Sequence, residues 1–325
     1  MSTPAALRIG TRGSALAVWQ TERVRHRLQD AGYPTERIEI RTTGDMVPDV
    51  PLSRIGSRAL FTRQIDEALL EGRIDLAVHS LKDLPTELPD GIALAAVGER
   101  EDPRDALVGR GPVRWSELPR GATVATSSLR RRAQLLHLRP DLQVSDIRGN
   151  VDTRIARLEA RSEWAAILLA AAGLVRLGLG HRIGERLPLE IMLPAPGQGA
   201  LAVTVRESDA VAFAAGRAAV HDADTAMAVA AERAFLRRLE GGCQVPVAAH
   251  AELTPAAVGR VLRLRGRVIS LGGERAVEGD ETRSVGCEAE ADALGVALAE
   301  RLLDEGAARI LAGVRAAGAP AVPEP

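Results

Sequence analysis

Short apolar runs of strand type alternate with amphipathic, helix-period stretches through the first two thirds of the chain; the pattern halts at a charged segment and then restarts. Residues 7–10 form the first run, followed by Thr11, Arg12, Gly13 and Ser14 and a helical pattern over 15–30. Residues 37–41 alternate as a strand, and 59–70 read as a helix stopped by Gly72. Residues 75–80 and 92–97 are continuous apolar runs of the kind buried on both faces. Residues 98–105 are a charged, proline-containing linker. Beyond it lie strands at 122–126, 142–147 and 165–170, separated by helices at 129–138 and 151–160. This spacing predicts parallel sheets joined by right-handed crossovers.

A second boundary falls at residues 193–200, which carry Pro194, Pro196, Gly197, Gln198 and Gly199. The apolar strand at 201–205 has no partner nearby and is expected to rejoin the first sheet. The chain then crosses twice between two domains, a geometry suited to a hinge and a cleft. A helix over 223–239, strand-like segments at 245–253 and 260–269 and a helix over 289–303 make a smaller third unit. The expected fold class is α/β: two doubly wound domains with an interdomain cleft, plus a small C-terminal α+β domain. The expected divisions are residues 1–98 with 200–218, 99–199, and 219–325, the Ala/Pro-rich tail from 316 being disordered.

Composition excludes several functions. Aromatic residues are 2% of the chain and the net charge is −1, which argues against base-stacking and polyanion-binding surfaces. No leader-like segment or 18-residue apolar run occurs, so the chain is expected to be soluble and cytoplasmic. Cys243 and Cys287 make no disulfide framework, and no metal-ligand spacing stands out, so no metal is expected.

Lys82 is the one lysine among 42 lysine and arginine residues, and it stands beside Asp83 where the strand at 75–80 ends. Against chance survival stands a need for a compact, tunable ammonium that guanidinium cannot supply. Three strand-to-helix junctions share a design: Thr11 to Ser14, Thr126 to Arg132, and Arg148 to Arg154. Each sets hydroxyl or amide residues at a helix N-terminus and adds arginine, a pattern that favours anions. One such junction is an ordinary capped helix; three at the carboxyl edges of parallel strands predict a cleft for a ligand with several negative groups. His79, within an apolar strand, reads as packed or capping. Gly241, Gly242 and Cys243 present a thiol on a glycine loop, whereas Cys287 reads as a buried filler in a β-like stretch.

Taken together, Arg8 to Arg12, His79 to Pro85, Glu99 to Asp105, Thr126 to Arg131, Arg148 to Asn150, Pro196 to Gly199 and Glu240 to Pro246 closely resemble the porphobilinogen deaminase (hydroxymethylbilane synthase) family, in order, over residues 7–310. The resemblance implies two domains like type II periplasmic binding proteins, a third domain, and a dipyrromethane cofactor joined by a thioether to Cys243. It implies condensation of four porphobilinogen units on that primer with loss of ammonia, and hydrolytic release of a linear tetrapyrrole. Asp83 matches the catalytic aspartate, which stabilises cationic azafulvene-like intermediates. Arg12, Lys82, Arg130, Arg131, Arg148, Arg154 and Arg176 match residues that bind the acetate and propionate groups of cofactor, substrate and growing chain. Ser14, Gln20, Ser80, Thr126, Ser128 and Gly149 align with further polar contacts.

The stretch 43–58 reads as a mobile lid, with Arg54, Arg58 and Phe61, and Gln198 with Gly199 as a hinge. Lysine is usual in the family at Arg54 and Arg58; Arg132 is an extra cation, and Asp152 replaces a common glycine or alanine. The resemblance also implies a monomer that binds no nucleic acid or membrane and passes its product to a cyclising enzyme. Two other classes compete: a solute-binding or ligand-sensing module on the same cleft, and a phosphate- or nucleic-acid-binding protein. A binding module has no need for Gly241-Gly242-Cys243 or an extra C-terminal domain, and the balanced charge and few aromatics weaken the phosphate- or nucleic-acid-binding reading.

Overall fold

The computed structural model describes residues 6–42, 62–239, 245–256 and 259–318. β1 (Leu7–Thr11) leads into α1 (Ala15–Asp30), capped by Ser14, whose Oγ accepts from the Ala17 amide at 3.4 Å. β2 (Thr35–Glu39), α2 (Arg63–Leu70), β3 (Leu76–Ser80) and β4 (Ile92–Val97) follow. After the first crossing come β5 (Asp105–Val108), β6 (Thr123–Ala125), α3 (Leu129–Leu138), β7 (Gln143–Ser145), α4 (Val151–Ala160), β8 (Trp164–Ala170), α5 (Ala171–Arg176) and β9 (Glu185–Arg186). After the second crossing β10 (Leu201–Arg206) precedes α6 (Ala210–Val220) and α7 (Ala223–Arg238).

The first sheet has the order β2-β1-β3-β10-β4 and the second β7-β6-β8-β5-β9. Both are mixed rather than purely parallel. β10 pairs antiparallel with β3 and β4, and β5 pairs antiparallel with β8 and β9. The two sheets therefore repeat one plan, each completed by a strand that arrives from the other side. Leu201 to Val205 are all buried, so β10 is stable only between two partners. β5 begins inside the segment expected to be linker; four apolar-flanked residues after a charged run carry too little pattern to mark a strand.

The crossings are bonded to each other, Gly98 N to Leu201 O at 2.9 Å and Glu101 N to Gly199 O at 3.1 Å. The third unit holds them in place. Glu232, on α7 and fully buried, accepts from Arg100 Nη1 at 2.6 Å, the Gly197 amide at 2.7 Å and the Ala251 amide at 2.7 Å. Burial pushes this carboxyl up, but Arg100 and His250 outweigh it and bring it to about 2.

The third unit is an antiparallel sheet of β11 (Val247–Pro255), β12 (Arg260–Ile269) and β13 (Ala276–Val285), covered by α7 and α8 (Glu288–Leu302). Phe235 lies over Gly266, where a Cβ would sit 2.4 Å from the ring. β13 carries no strand signal in the sequence, because an edge strand bearing Glu278, Asp280, Glu281 and Arg283 has no apolar alternation. Two further expectations are corrected. Cys287 is exposed at the N-cap of α8 rather than a buried strand filler, because the strand stops at Val285 and Gly286 turns the chain. Residues 316–318 of the supposed disordered tail close the helix α9 (Ala308–Gly318); the rest of the tail lies outside the described residues. No helix among the described residues is long and apolar enough to cross a membrane.

Candidate active site

β3 delivers Lys82 and Asp83. A 3₁₀ turn, Leu81–Asp83, follows the strand because buried Leu81 and Leu84 pack among Ala200, Ala202 and Val229, while the Leu81 amide donates to the Ala200 carbonyl at 3.0 Å. Anchored by these leucines, the two charged residues between them face the cleft. Lys82 is half-buried and donates to Gln198 Oε1 at 3.3 Å. Burial lowers its ammonium to about 8; Asp83 and Asp105 oppose that fall, and Arg131 and Arg130 reinforce it. Asp83 is exposed, with no hydrogen bond or ion pair to another described residue. His79 is buried with Nε2 3.1 Å from Thr204 Oγ1, a packed residue as expected. Buried Gln20 reaches across from α1 to donate to Ser80 Oγ at 2.8 Å.

The second sheet supplies the cations. Thr126 Oγ1 accepts from the Ser128 amide at 3.2 Å, and Ser128 Oγ caps α3 through the Arg131 amide at 3.4 Å. Arg130 and Arg131 are both buried, and both reach the fully buried Asp105 at 2.7 Å. Burial pushes the Asp105 carboxyl up, yet the two guanidiniums hold it well below the ordinary carboxylate range. Gly149 adopts φ +102°, and its carbonyl accepts from Arg154 Nε at 2.7 Å, aiming that guanidinium inward. Burial lowers Arg154 to about 10, with Arg131 adding to the effect and Asp83 opposing it. Arg148 Nη1 is buried without a hydrogen-bond partner among the described residues. Arg176 donates to the Gly199 carbonyl at 2.6 Å, its guanidinium 5.7 Å from the Trp19 ring centroid. Arg12, half-buried, bears on His79, whose imidazole burial depresses to about 4.

A cavity of about 250 Å³ lies where the three units meet. Lys82, Asp83, Ser128, Arg130, Arg131, Arg154 and Gln198 line it, together with Leu236 and Val245 of the third unit. Arg12, Ser14, Gln20, Ser80, Thr126, Arg148, Gly149, Arg176 and Gly199 stand outside its wall. Arg132 and Asp152 are exposed on their helices. Cys243 and the lid residues Arg54, Arg58 and Phe61 lie outside the described residues. Sequence reasoning missed Asp105, the common counter-ion of the paired arginines. A carboxylate 25 positions upstream gives no local sign of that pairing.

Two family models divide the chain between them. "Porphobilinogen deaminase, dipyromethane cofactor binding domain" matches residues 7–214, and "Porphobilinogen deaminase, C-terminal domain" matches 226–304. The chain belongs to the porphobilinogen deaminase family. The porphobilinogen deaminase of Rubrobacter xylanophilus is 54% identical over 94% of this chain and 97% of its own length. Those of Geobacter metallireducens and Syntrophotalea carbinolica are 50% and 49% identical, over 96% and 98% of this chain and 95% and 99% of theirs. Among solved structures, the methionine-binding protein MetQ is similar at 15% identity and a TM-score of 0.42, over 66% of this chain and 89% of its own. The second substrate-binding domain of a putative amino acid ABC transporter from Streptococcus pneumoniae is similar at 11% identity and a TM-score of 0.42, over 66% and 91%. The first porphobilinogen deaminase model thus takes in both cleft-forming sheets, and the second begins on α7.

Proposed function

We propose that Asp83 is the catalytic residue of this cleft and Cys243 its cofactor attachment point. The enzyme is a porphobilinogen deaminase, a transferase of tetrapyrrole biosynthesis with a dipyrromethane cofactor. It condenses four porphobilinogen molecules head to tail, releasing ammonia, and frees hydroxymethylbilane by hydrolysis. The observation that carries the residue assignment is the shared cavity of Asp83, Lys82, Arg131 and Arg154, bordered by Leu236 and Val245 on either side of residue 243.

The donor set fits a ligand rich in carboxylates. Among the described residues Arg148 carries a buried N–H with no partner, and burial lowers Lys82, Arg130 and Arg154, the nearby Arg131 guanidinium adding to the fall of each. An anion relieves both costs. When bound, the dipyrromethane supplies the electron-rich pyrrole end from which the chain grows. Arg12, Arg148, Arg154 and Arg176, with Lys82, hold acetate and propionate groups; Arg130 and Arg131 do so while anchored on Asp105. Ser14, Gln20, Ser80, Thr126, Ser128 and Gly149 complete the polar lining. Asp83 stabilises the positive charge that develops on the substrate as its ammonia leaves, its carboxylate bearing on Lys82 and Arg154 but hydrogen-bonded to no described residue. Gln198 and Gly199 act as the hinge, and residues 43–58 with Arg54, Arg58 and Phe61 as the lid.

The reading divides the chain into residues 1–98 with 200–218, 99–199 and 219–325. It makes the protein a cytoplasmic monomer that passes its linear product to a cyclising enzyme. Intact mass tests it: wild-type protein carries an excess equal to a dipyrromethane, Cys243→Ala loses it, and Asp83→Asn keeps it while turnover falls by about 10² or more. Unmodified mass in active wild-type protein overturns the linkage, and near-normal turnover in Asp83→Asn overturns the catalytic assignment.

A further inference from the structure

Gln198 is 1% exposed in the segment by which the chain returns from the second sheet to the first. Its side-chain nitrogen donates to the Pro103 carbonyl at 2.7 Å and to Asp105 Oδ1 at 2.9 Å. Both partners are acceptors only, so the amide has one permitted orientation; reversed, its oxygen would face a carbonyl and a carboxylate. Oε1 is thereby turned to Lys82 and accepts from its Nζ at 3.3 Å. The main chain is equally constrained. Its carbonyl takes Arg100 Nε at 2.9 Å, its amide donates to Ala195 O at 2.9 Å, and Gly197 and Gly199 on either side have φ of +74° and +93°.

We propose that Gln198 is a positioning residue: it transmits the fixed negative end of Asp105 to the Lys82 ammonium and so holds that ammonium in register with the Arg130–Arg131 pair across the interdomain cleft. The inference rests on the reading of the cleft given above. Every charge that faces Lys82 enters the balance. Asp83 on its own turn and Asp105 on β5 favour the ammonium, Arg130 and Arg131 on α3 disfavour it, and Arg154 on α4 competes for Asp83. With burial acting against the charge, an amide oxygen held on the ammonium at 3.3 Å favours its charged form and fixes where it sits. Because that oxygen belongs to the crossing segment, rotation of one sheet against the other changes what Lys82 offers a substrate carboxylate.

The single lysine makes the test direct. Reductive ¹³C-methylation of the full-length holoenzyme marks Lys82 and the α-amino group alone, and NMR follows each titration separately. In Gln198→Met, similar in length and without the acceptor, the Lys82 midpoint falls by about half a unit to one unit. In the unlabelled variant KM for porphobilinogen rises about threefold or more while kcat changes less. Gln198→Asn keeps both polar ends but is one methylene short; it moves both readouts the same way and serves if the methionine variant does not fold. A residue that only braced the hinge would lower the melting temperature and leave the Lys82 titration in place. A midpoint within about 0.2 unit of wild type in folded variants overturns the proposal. Wild-type protein lacking the primer mass or turnover overturns instead the reading on which it rests.

Discussion

At Lys82 a guanidinium would meet conditions that an ammonium tolerates. Arg130 and Arg131 already crowd the site, burial disfavours charge, and Gln198 offers one acceptor, which suits a compact donor. A planar fork with five donors needs several acceptors and keeps its proton throughout the accessible pH range. Lys82→Arg is therefore expected to lose about tenfold or more in kcat/KM while its intact mass and melting temperature stay near wild type. Steady-state kinetics set beside mass spectrometry check this, and wild-type kinetics would make the lone lysine a coincidence. The composition alone singled out this residue. What it could not show is that Asp105, assigned to a linker, is the counter-ion that holds Arg130 and Arg131 beside it.

Strand-to-helix junctions were legible because their signals are local: an apolar run, then a hydroxyl or amide residue at a cap, as at Ser14 and Ser128. β5 and β13 were not legible, since the first is only four residues long and the second is a charged edge. Gly199 shows how an element's connection can be as exacting as its core. At φ +93° it leaves no room for a side chain, and an added Cβ would lie 2.2 Å from the Glu101 carbonyl oxygen, against backbone that cannot step aside. Gly199→Ala is expected to destabilise the protein by about 2–4 kcal/mol. Denaturant unfolding reads the loss, and a change below about 0.5 kcal/mol would show that the crossings tolerate separation.

Across the whole molecule, acid acts through buried groups in opposite directions. His79, depressed from 6.5 to about 4, stays neutral when folded, so its contribution is present above 6.5 and lost as pH falls toward 4. Asp66, raised from 3.8 to about 6 by burial, takes up a proton more readily when folded and adds stability over much of that interval. The two largely offset. Glu232, lowered from 4.5 to about 2, and the depressed Asp105 contribute stability above their unfolded values that is lost as pH falls below about 4.5. The melting temperature should therefore hold nearly level from pH 7 to about 5 and drop steeply below about 4.5. Glu232→Gln should lower the plateau and make the acid limb shallower. An unaltered limb in that variant would remove Glu232 from the account.

The sequence by itself determined the alternating architecture, the three anion-favouring junctions, the singular Lys82-Asp83 pair and the family, because each is written in contiguous residues. The tertiary structure alone decided which cations share a cavity, that both sheets are completed by an antiparallel strand from across the crossing, and that Asp105, Gln198 and Glu232 join the three units. Those pairings link residues 25 to 132 positions apart. Only packing brings them within hydrogen-bonding distance, and no local pattern records it.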